Sequence, residues 1–274
     1  MDYGLSTYLF VNERLSSHIL DQILATGLRQ IEIFAARQHL DYHDKNQVSD
    51  VAQWFRDHDL QLFSLHAPLY GDFDWGRSGG HLLSITYLER RQRIESMDEI
   101  KRALEVAERL PFRYLVLHMG LEGEGYELAK FDAALTCLEH LKIFAKERGV
   151  QILLENIPNE VSTPERLVSF VQYTRLNEVK FCLDVGHAHM VSNVQSALNV
   201  LKDRLVSTHI HDNHREKDEH LLPFEGDINW EQTIRDFRSL GGEVPLVFEV
   251  RNLGPDLTIL ERIREVVDRF EAIE

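Results

Sequence analysis

Phe181-Cys182-Leu183-Asp184-Val185-Gly186-His187-Ala188-His189 is the stretch whose reading decides the fold. An apolar run of strand character ends abruptly in a carboxylate, a glycine and two histidines, and α/β folds place chemistry at strand ends of that kind. Asp184 emerges at the carboxyl end of the strand, and Gly186 lets the chain turn so that His187 folds back towards the same point. An aspartate and a neutral imidazole meeting there make half a metal site, although a strand-terminal aspartate also serves as a helix cap or turn residue. What favours the metal site is repetition of the pattern along the chain.

Upstream, Leu60 to Leu65 ends in His66, Arg113 to Leu117 in His118, and Val150 to Leu154 in Glu155-Asn156. Downstream, Leu205 to Ile210 carries His209, and Pro245 to Phe248 ends in Glu249. Two more apolar stretches, Tyr3 to Phe10 and Gln30 to Phe34, open the chain. In the second of these Glu32 alternates with Ile31 and Ile33 and so points away from them. Both faces of a parallel sheet are buried, so Glu32 needs either an ion-pair partner or a substrate to contact.

A stretch of helical period follows each strand. Leu15 to Thr26 stops at Gly27 and Tyr126 to Arg148 at Gly149, both usual helix-ending residues. Val48 to His58, Ser84 to Leu110 and Val194 to Asp203 are amphipathic or densely charged, and Thr163-Pro164 reads as a cap and first position of a helix to Tyr173. Trp230 to Leu240 ends at Gly241-Gly242, and Asp256 to Phe270 is the last helix. Eight strand-helix units make a single (β/α)8 TIM barrel, an α/β fold, over residues 1–274. No linker or shift in composition divides the chain, and no glycine-rich phosphate loop after the first strand argues for an open doubly wound sheet.

A formal net charge of −15 repels nucleic acid and anionic membrane. No apolar run approaches the length that crosses a bilayer, and the first residues lack a basic-then-apolar leader, so a soluble cytoplasmic protein is expected. Cys137 falls in an expected helix and Cys182 in an expected strand, which suits reduced core thiols.

A barrel opens all its strand ends on one face, so residues distant in sequence meet in one cavity. Here that face receives His66, His118, Glu155, Asp184, His209 and Glu249, with His187, Asp218 and His220 on adjoining loops. All nine are metal-ligand types. Oxygen and nitrogen donors without cysteine suit Mn²⁺, Zn²⁺, Co²⁺, Fe²⁺ or Mg²⁺, either as one ion beside substrate-binding histidines or as several ions with bridging carboxylates. The loop Tyr70 to Gly80, rich in glycine and aromatic residues, is a candidate lid.

At this point the chain resembles the xylose isomerase-like TIM-barrel superfamily, which holds sugar and sugar-phosphate isomerases and epimerases and also endonuclease IV, the apurinic-site nuclease. The resemblance runs through Ser64-Leu65-His66-Ala67-Pro68, Leu117-His118, Leu154-Glu155-Asn156, Leu183-Asp184-Val185-Gly186-His187-Ala188-His189, His209-Ile210-His211-Asp212-Asn213, Asp218-Glu219-His220 with Glu225-Gly226-Asp227-Ile228-Asn229-Trp230, and Phe248-Glu249. Similarity to the ketose 3-epimerases implies that Glu155, Asp184, His209 and Glu249 bind one divalent ion and that Glu155 and Glu249 exchange a proton with the substrate. The same similarity implies that His187 and Arg215 hold substrate oxygens. A further substrate-binding glutamate of that group, six residues after Glu155, is Val161 here, with Glu160 one place early. Similarity to endonuclease IV implies instead three zinc ions on all nine ligands and hydrolysis of a phosphoester.

The leading expectation is therefore a metal-dependent isomerase or epimerase of a sugar, sugar phosphate or related polyol, with one to three zinc or manganese ions per chain. A phosphoester hydrolase of the apurinic-site endonuclease type is the alternative. By analogy with the superfamily the chain forms a homodimer.

Overall fold

The computed structural model describes residues 1–241, 244–251 and 258–273. Eight parallel strands close into a barrel in sequence order. They are β1 Tyr3–Ser6, β2 Gln30–Phe34, β3 Leu62–His66, β4 Phe112–His118, β5 Gln151–Glu155, β6 Lys180–Asp184, β7 Leu205–Ile210 and β8 Leu246–Phe248. Pairing of β1 with β8, from Tyr3 against Leu246 to Leu5 against Phe248, closes the ring. Around it lie α1 Ser17–Ala25, α2 Lys45–Asp57, α3 Arg90–Leu104, α4 Leu128–Lys146, α5 Pro164–Thr174, α6 Val185–Val191, α7 Val194–Leu201, α8 Trp230–Ser239 and α9 Thr258–Glu271. The expected start of the last helix at Asp256, and Gly242 of the expected helix break, lie outside the described residues.

Alternation along each strand divides the side chains between two environments. Ile31 and Ile33, Leu115 and Leu117, Ile152 and Leu154, and Phe181 and Leu183 face outward into the core shared with the helices. Val116, Leu153 and Cys182 fill the barrel interior. The parity that sends these residues inward also turns the last residue of β3, β4, β5 and β6 inward at the rim. Register pairs Phe34 with His66, His118 with Glu155, and Asp184 with His209, and steps by two residues elsewhere, His66 standing against Val116 and Glu155 against Cys182. Both cysteines are buried and unpaired, as expected.

Several boundaries differ from those expected, each for a local reason. The first strand ends at Ser6, because Ser6 and Thr7 spend their hydroxyls on the backbone: Ser6 Oγ accepts from Tyr8 N at 3.4 Å and Thr7 Oγ1 from Phe34 N at 3.0 Å. The 3-10 turn Thr7–Phe10 that follows carries Tyr8 over the barrel mouth. The helix expected from Ser84 starts at Arg90, capped by the Glu89 carboxylate, since Ser84 is engaged with Ser96 and Thr86 instead. Thr163 and Pro164 do cap and begin α5, and Gly27 and Gly149, with φ of 86° and 72°, follow the ends of α1 and α4.

The largest correction concerns Gly186. It does not turn the chain: Asp184 N-caps α6, with its carboxylate accepting from His187 N at 2.6 Å, and Gly186 lies inside that helix. A Cβ at Gly186 would overlap the ring of His211, so the glycine is there for close approach.

Candidate metal centre

The rim gathers its side chains into three groups, within each of which one nitrogen or oxygen per residue lies within 4.8 Å of the others. The deepest is Glu155, Asp184, His209 and Glu249. His209 Nδ1 stands 3.3 Å from Glu155 Oε1, 3.9 Å from Asp184 Oδ2 and 3.5 Å from Glu249 Oε2. The second is His66, His118 and Glu155, in which each histidine Nε2 lies 3.4 Å from Glu155 Oε2. Glu155 thus offers one oxygen to each group. The third is His187, His211, Asp218 and His220, with Asp218 Oδ2 2.9 Å from His220 Nε2 and 3.4 Å from His187 Nε2.

Four of the imidazoles are oriented by what their other nitrogen meets. Nδ1 of His66 faces the Ala67 carbonyl at 2.8 Å, that of His187 the Asn156 carbonyl at 3.0 Å, and that of His220 the Glu249 carbonyl at 2.7 Å. A nitrogen facing a carbonyl carries the proton, so in the neutral ring, the form that binds a metal, Nε2 presents a lone pair to the site. His209 is turned the other way: its Nε2 lies 3.0 Å from Glu32 Oε1, leaving Nδ1 for the deep group. Asp184 is gripped on both backbone sides by the Asn156 side chain, at 2.9 Å each.

Charge is crowded here in a buried setting. Burial drives the Glu155 carboxyl towards protonation, but His209, His118 and His187 around it hold it well below the usual carboxylate range. Burial wins at Glu249, whose affinity for a proton is raised despite His209 and His220. Against the same burial, His187 is held well above the ordinary imidazole value by neighbouring carboxylates and His209 by Cys182 and then Glu249, Glu32 and Glu155, whereas burial keeps His118 below it. Neither Glu155 oxygen nor His209 Nδ1 has a hydrogen-bond partner among the described residues, although all are buried. Such a set of donors, carboxylate and imidazole without thiolate, fits a divalent cation.

A cavity of about 370 Å³ opens above these groups. Its floor includes His66, His118, His187, Asp218, His220 and Glu249, and its wall Tyr8, Phe34, Trp75 and Arg251. Tyr70 and Trp75 of the expected lid loop belong to that wall.

All nine sequence-predicted ligand residues therefore meet at one mouth. Two predicted substrate contacts do not line the cavity. Glu32 lies beneath His209, fully buried, and accepts from Ser64 Oγ at 2.7 Å, so it is the ion-pair partner of the alternatives left open. Arg215 is exposed, and its Nη1 donates to the carbonyls of His189 and Ser192 at 3.0 and 3.3 Å, because a positive φ of 71° turns the loop outward there. Val161 is buried in the core, so the glutamate expected six residues after Glu155 has no counterpart at that position. Sequence reasoning missed His211 and Arg251. Each stands two residues after a predicted ligand, His209 and Glu249, and counting the strand period one step further would have found them.

The sequence profile of the family of xylose isomerase-like TIM barrels matches residues 20–272. An uncharacterised protein of Methanocaldococcus jannaschii is 25% identical over 97% of this chain and 100% of its own. An uncharacterised protein of Sinorhizobium fredii is 30% identical, over 58% of this chain and 53% of its own. Among solved structures, a D-tagatose 3-epimerase-like protein superposes with a TM-score of 0.80 at 22% identity, covering 100% of this chain and 98% of that one. The IolI protein with a bound zinc atom superposes with a TM-score of 0.76 at 18% identity, covering 99% and 96%. At these identities the structural likeness speaks for the fold.

Proposed function

The chain belongs to the family of xylose isomerase-like TIM barrels, and from that premise we propose that it is a metal-dependent isomerase or epimerase of a sugar, sugar phosphate or related polyol. The observation that carries this reading is the convergence of Glu155 and Glu249 with Asp184 and His209 beneath the cavity, whose lining Glu249 joins. These four would hold the ion, zinc or manganese, with His66, His118, Asp218 and His220 able to hold up to two more. When bound, the ion draws electron density from a carbonyl oxygen and acidifies the neighbouring carbon.

The remaining work falls to the chain. One of Glu155 and Glu249 removes a proton from that carbon and the other returns one on the opposite face. His187, fixed by the Asn156 carbonyl, orients a substrate oxygen with its Nε2 edge. The aromatic wall excludes water, so that the proton exchanges with the carboxylates before it exchanges with solvent. The structures of a D-tagatose 3-epimerase-like protein, D-psicose 3-epimerase and L-ribulose 3-epimerase, which share the fold, support the substrate class.

Screening ketoses and ketose phosphates with Mn²⁺, Co²⁺ or Zn²⁺ tests the reading. Turnover with incorporation of solvent deuterium at one carbon, abolished in Glu155→Gln and Glu249→Gln, is the expected result. Absence of exchange at any substrate carbon across that panel would remove it.

One observation favours a second reading, hydrolysis of a phosphoester: Glu155 is shared by two ligand groups while a third stands beside them. Three zinc ions per chain together with nicking of abasic duplex would select it over the isomerase. The net charge of −15 weighs against a nucleic-acid substrate.

A further inference from the structure

Arg251 is the single lysine or arginine among the described residues that line the cavity. Its backbone N–H donates to the His220 carbonyl at 2.9 Å, which ties it to the loop-borne ligand group. Its Nε donates to Tyr8 Oη at 3.0 Å, and Tyr8 is buried against Phe34 and His220, with ring centroids 5.1 and 4.8 Å away. The guanidinium carbon lies 5.9 Å from the Tyr8 centroid, so one aromatic ring separates it from His220. Among the described residues no carboxylate pairs with this guanidinium. Other arginines of this acidic chain do have such partners, including Arg14 with Asp44, Arg37 with Asp41 and Arg148 with Glu108.

A cation on a cavity wall, oriented by a neutral hydroxyl and felt by the Asp218 and Glu249 carboxylates only from beyond ion-pair distance, has room for a partner in a ligand. The planar fork of arginine suits oxyanions that accept two hydrogen bonds side by side. We propose that Arg251 forms a subsite for an anionic group of the substrate, phosphoryl or carboxylate, with Tyr8 as its positioning residue. This rests on the cavity being the substrate pocket and narrows the reading above: the substrate is a sugar phosphate or sugar acid, bound by its charged end at Arg251 and by its reacting end at the ligand groups. Tyr8, Phe34 and Trp75 then cover the carbon chain between.

Calorimetric titration of the zinc-saturated protein with D-fructose, D-fructose 6-phosphate and D-glucuronate tests the subsite without requiring turnover. At least one anionic sugar binds about tenfold or more tightly than D-fructose, as a charge-assisted hydrogen-bond pair allows. Arg251→Gln brings that sugar to the affinity of D-fructose, Arg251→Lys keeps part of the preference, and unchanged thermal unfolding of both variants shows that they fold. Tighter binding of the phosphate than of glucuronate assigns the subsite to phosphoryl groups, and the reverse order to carboxylates. A preference that survives in Arg251→Gln, or its absence from the wild type, overturns the proposal. Loss of the preference in Arg251→Gln, in a protein that turns over no ketose, keeps the subsite and removes the isomerase. Turnover combined with anion binding insensitive to Arg251 does the opposite.

Discussion

Two candidate ligand groups at the barrel mouth are held in different ways. Glu155 and Asp184 end β5 and β6, His209 is the last but one residue of β7 and Glu249 follows β8, so strand parity turns all four to the same mouth before any side chain acts, and each is at most 3% exposed. Asp218 and His220 hang instead from the loop between β7 and α8, and the Asp218 side chain is 23% exposed. That loop is shaped by Asp212, whose carboxylate accepts from Asn213 N, Phe224 N, Ile228 N and Trp230 Nε1 at 2.7 to 3.1 Å. A strand-borne group is thus as rigid as the barrel, while a loop-borne group is as rigid as one buried carboxylate.

Changes aimed at one group or the other separate them. Glu155→Gln strikes the strand-borne groups hardest, since it removes a charge shared by two of them. Elemental analysis after dialysis is expected to show loss of the deep ion, and turnover to disappear. Retention of full metal content and turnover would show that Glu155 ligates nothing.

Asp212→Ala attacks only the loop. Four donors lose their acceptor, at a cost of roughly 3–5 kcal/mol. For a chain of this size that lowers the midpoint of thermal unfolding by about 10 °C. Metal bound by the loop group is expected to be lost while the deep ion stays. If both are lost together, the two groups are not independent.

Glu32→Gln returns to the strands from below. With its anionic partner neutralised, His209 no longer has its Nε2 proton held by a charge, and affinity for the deep ion is expected to fall about 10- to 100-fold, the usual effect of removing such an outer partner. A competitive chelator titration measures this, and an unchanged affinity would reduce Glu32 to a packing role. Gly186→Ala is the smallest change. The added methyl presses on His211, which stacks on His220 at 4.1 Å and lies 3.1 Å from Asp184 Oδ1. Overpacking of this kind costs about 1–3 kcal/mol, visible in urea unfolding. An alanine tolerated without loss would mean that the His211 ring is free to move aside.

The same contrast governs what was legible beforehand. Strand parity and strand ends are written in short-range alternation, so the barrel and the candidate ligand residues at the strand ends could be read directly from runs such as Leu153-Leu154-Glu155. Arg215 was misjudged because its direction depends on a positive φ and on two carbonyls of the α6 region, neither of which leaves a trace in local sequence. Glu32 was left open because its partners, Ser64 and His209, are 32 and 177 residues away, as their numbers show. Gly186 announced a special backbone position, but its reason lay in the His211 ring arriving from another strand.

The account stands on one claim, that carboxylates and imidazoles from β5 to β8 enclose a shared cation. Crystals of the protein saturated with zinc, with anomalous data collected on both sides of the zinc edge, test it most directly. The expected result is a peak about 2.0–2.2 Å from oxygen or nitrogen atoms of Glu155, Asp184, His209 and Glu249 together. Density showing those four side chains paired only with one another, and zinc bound elsewhere or not at all, would contradict it.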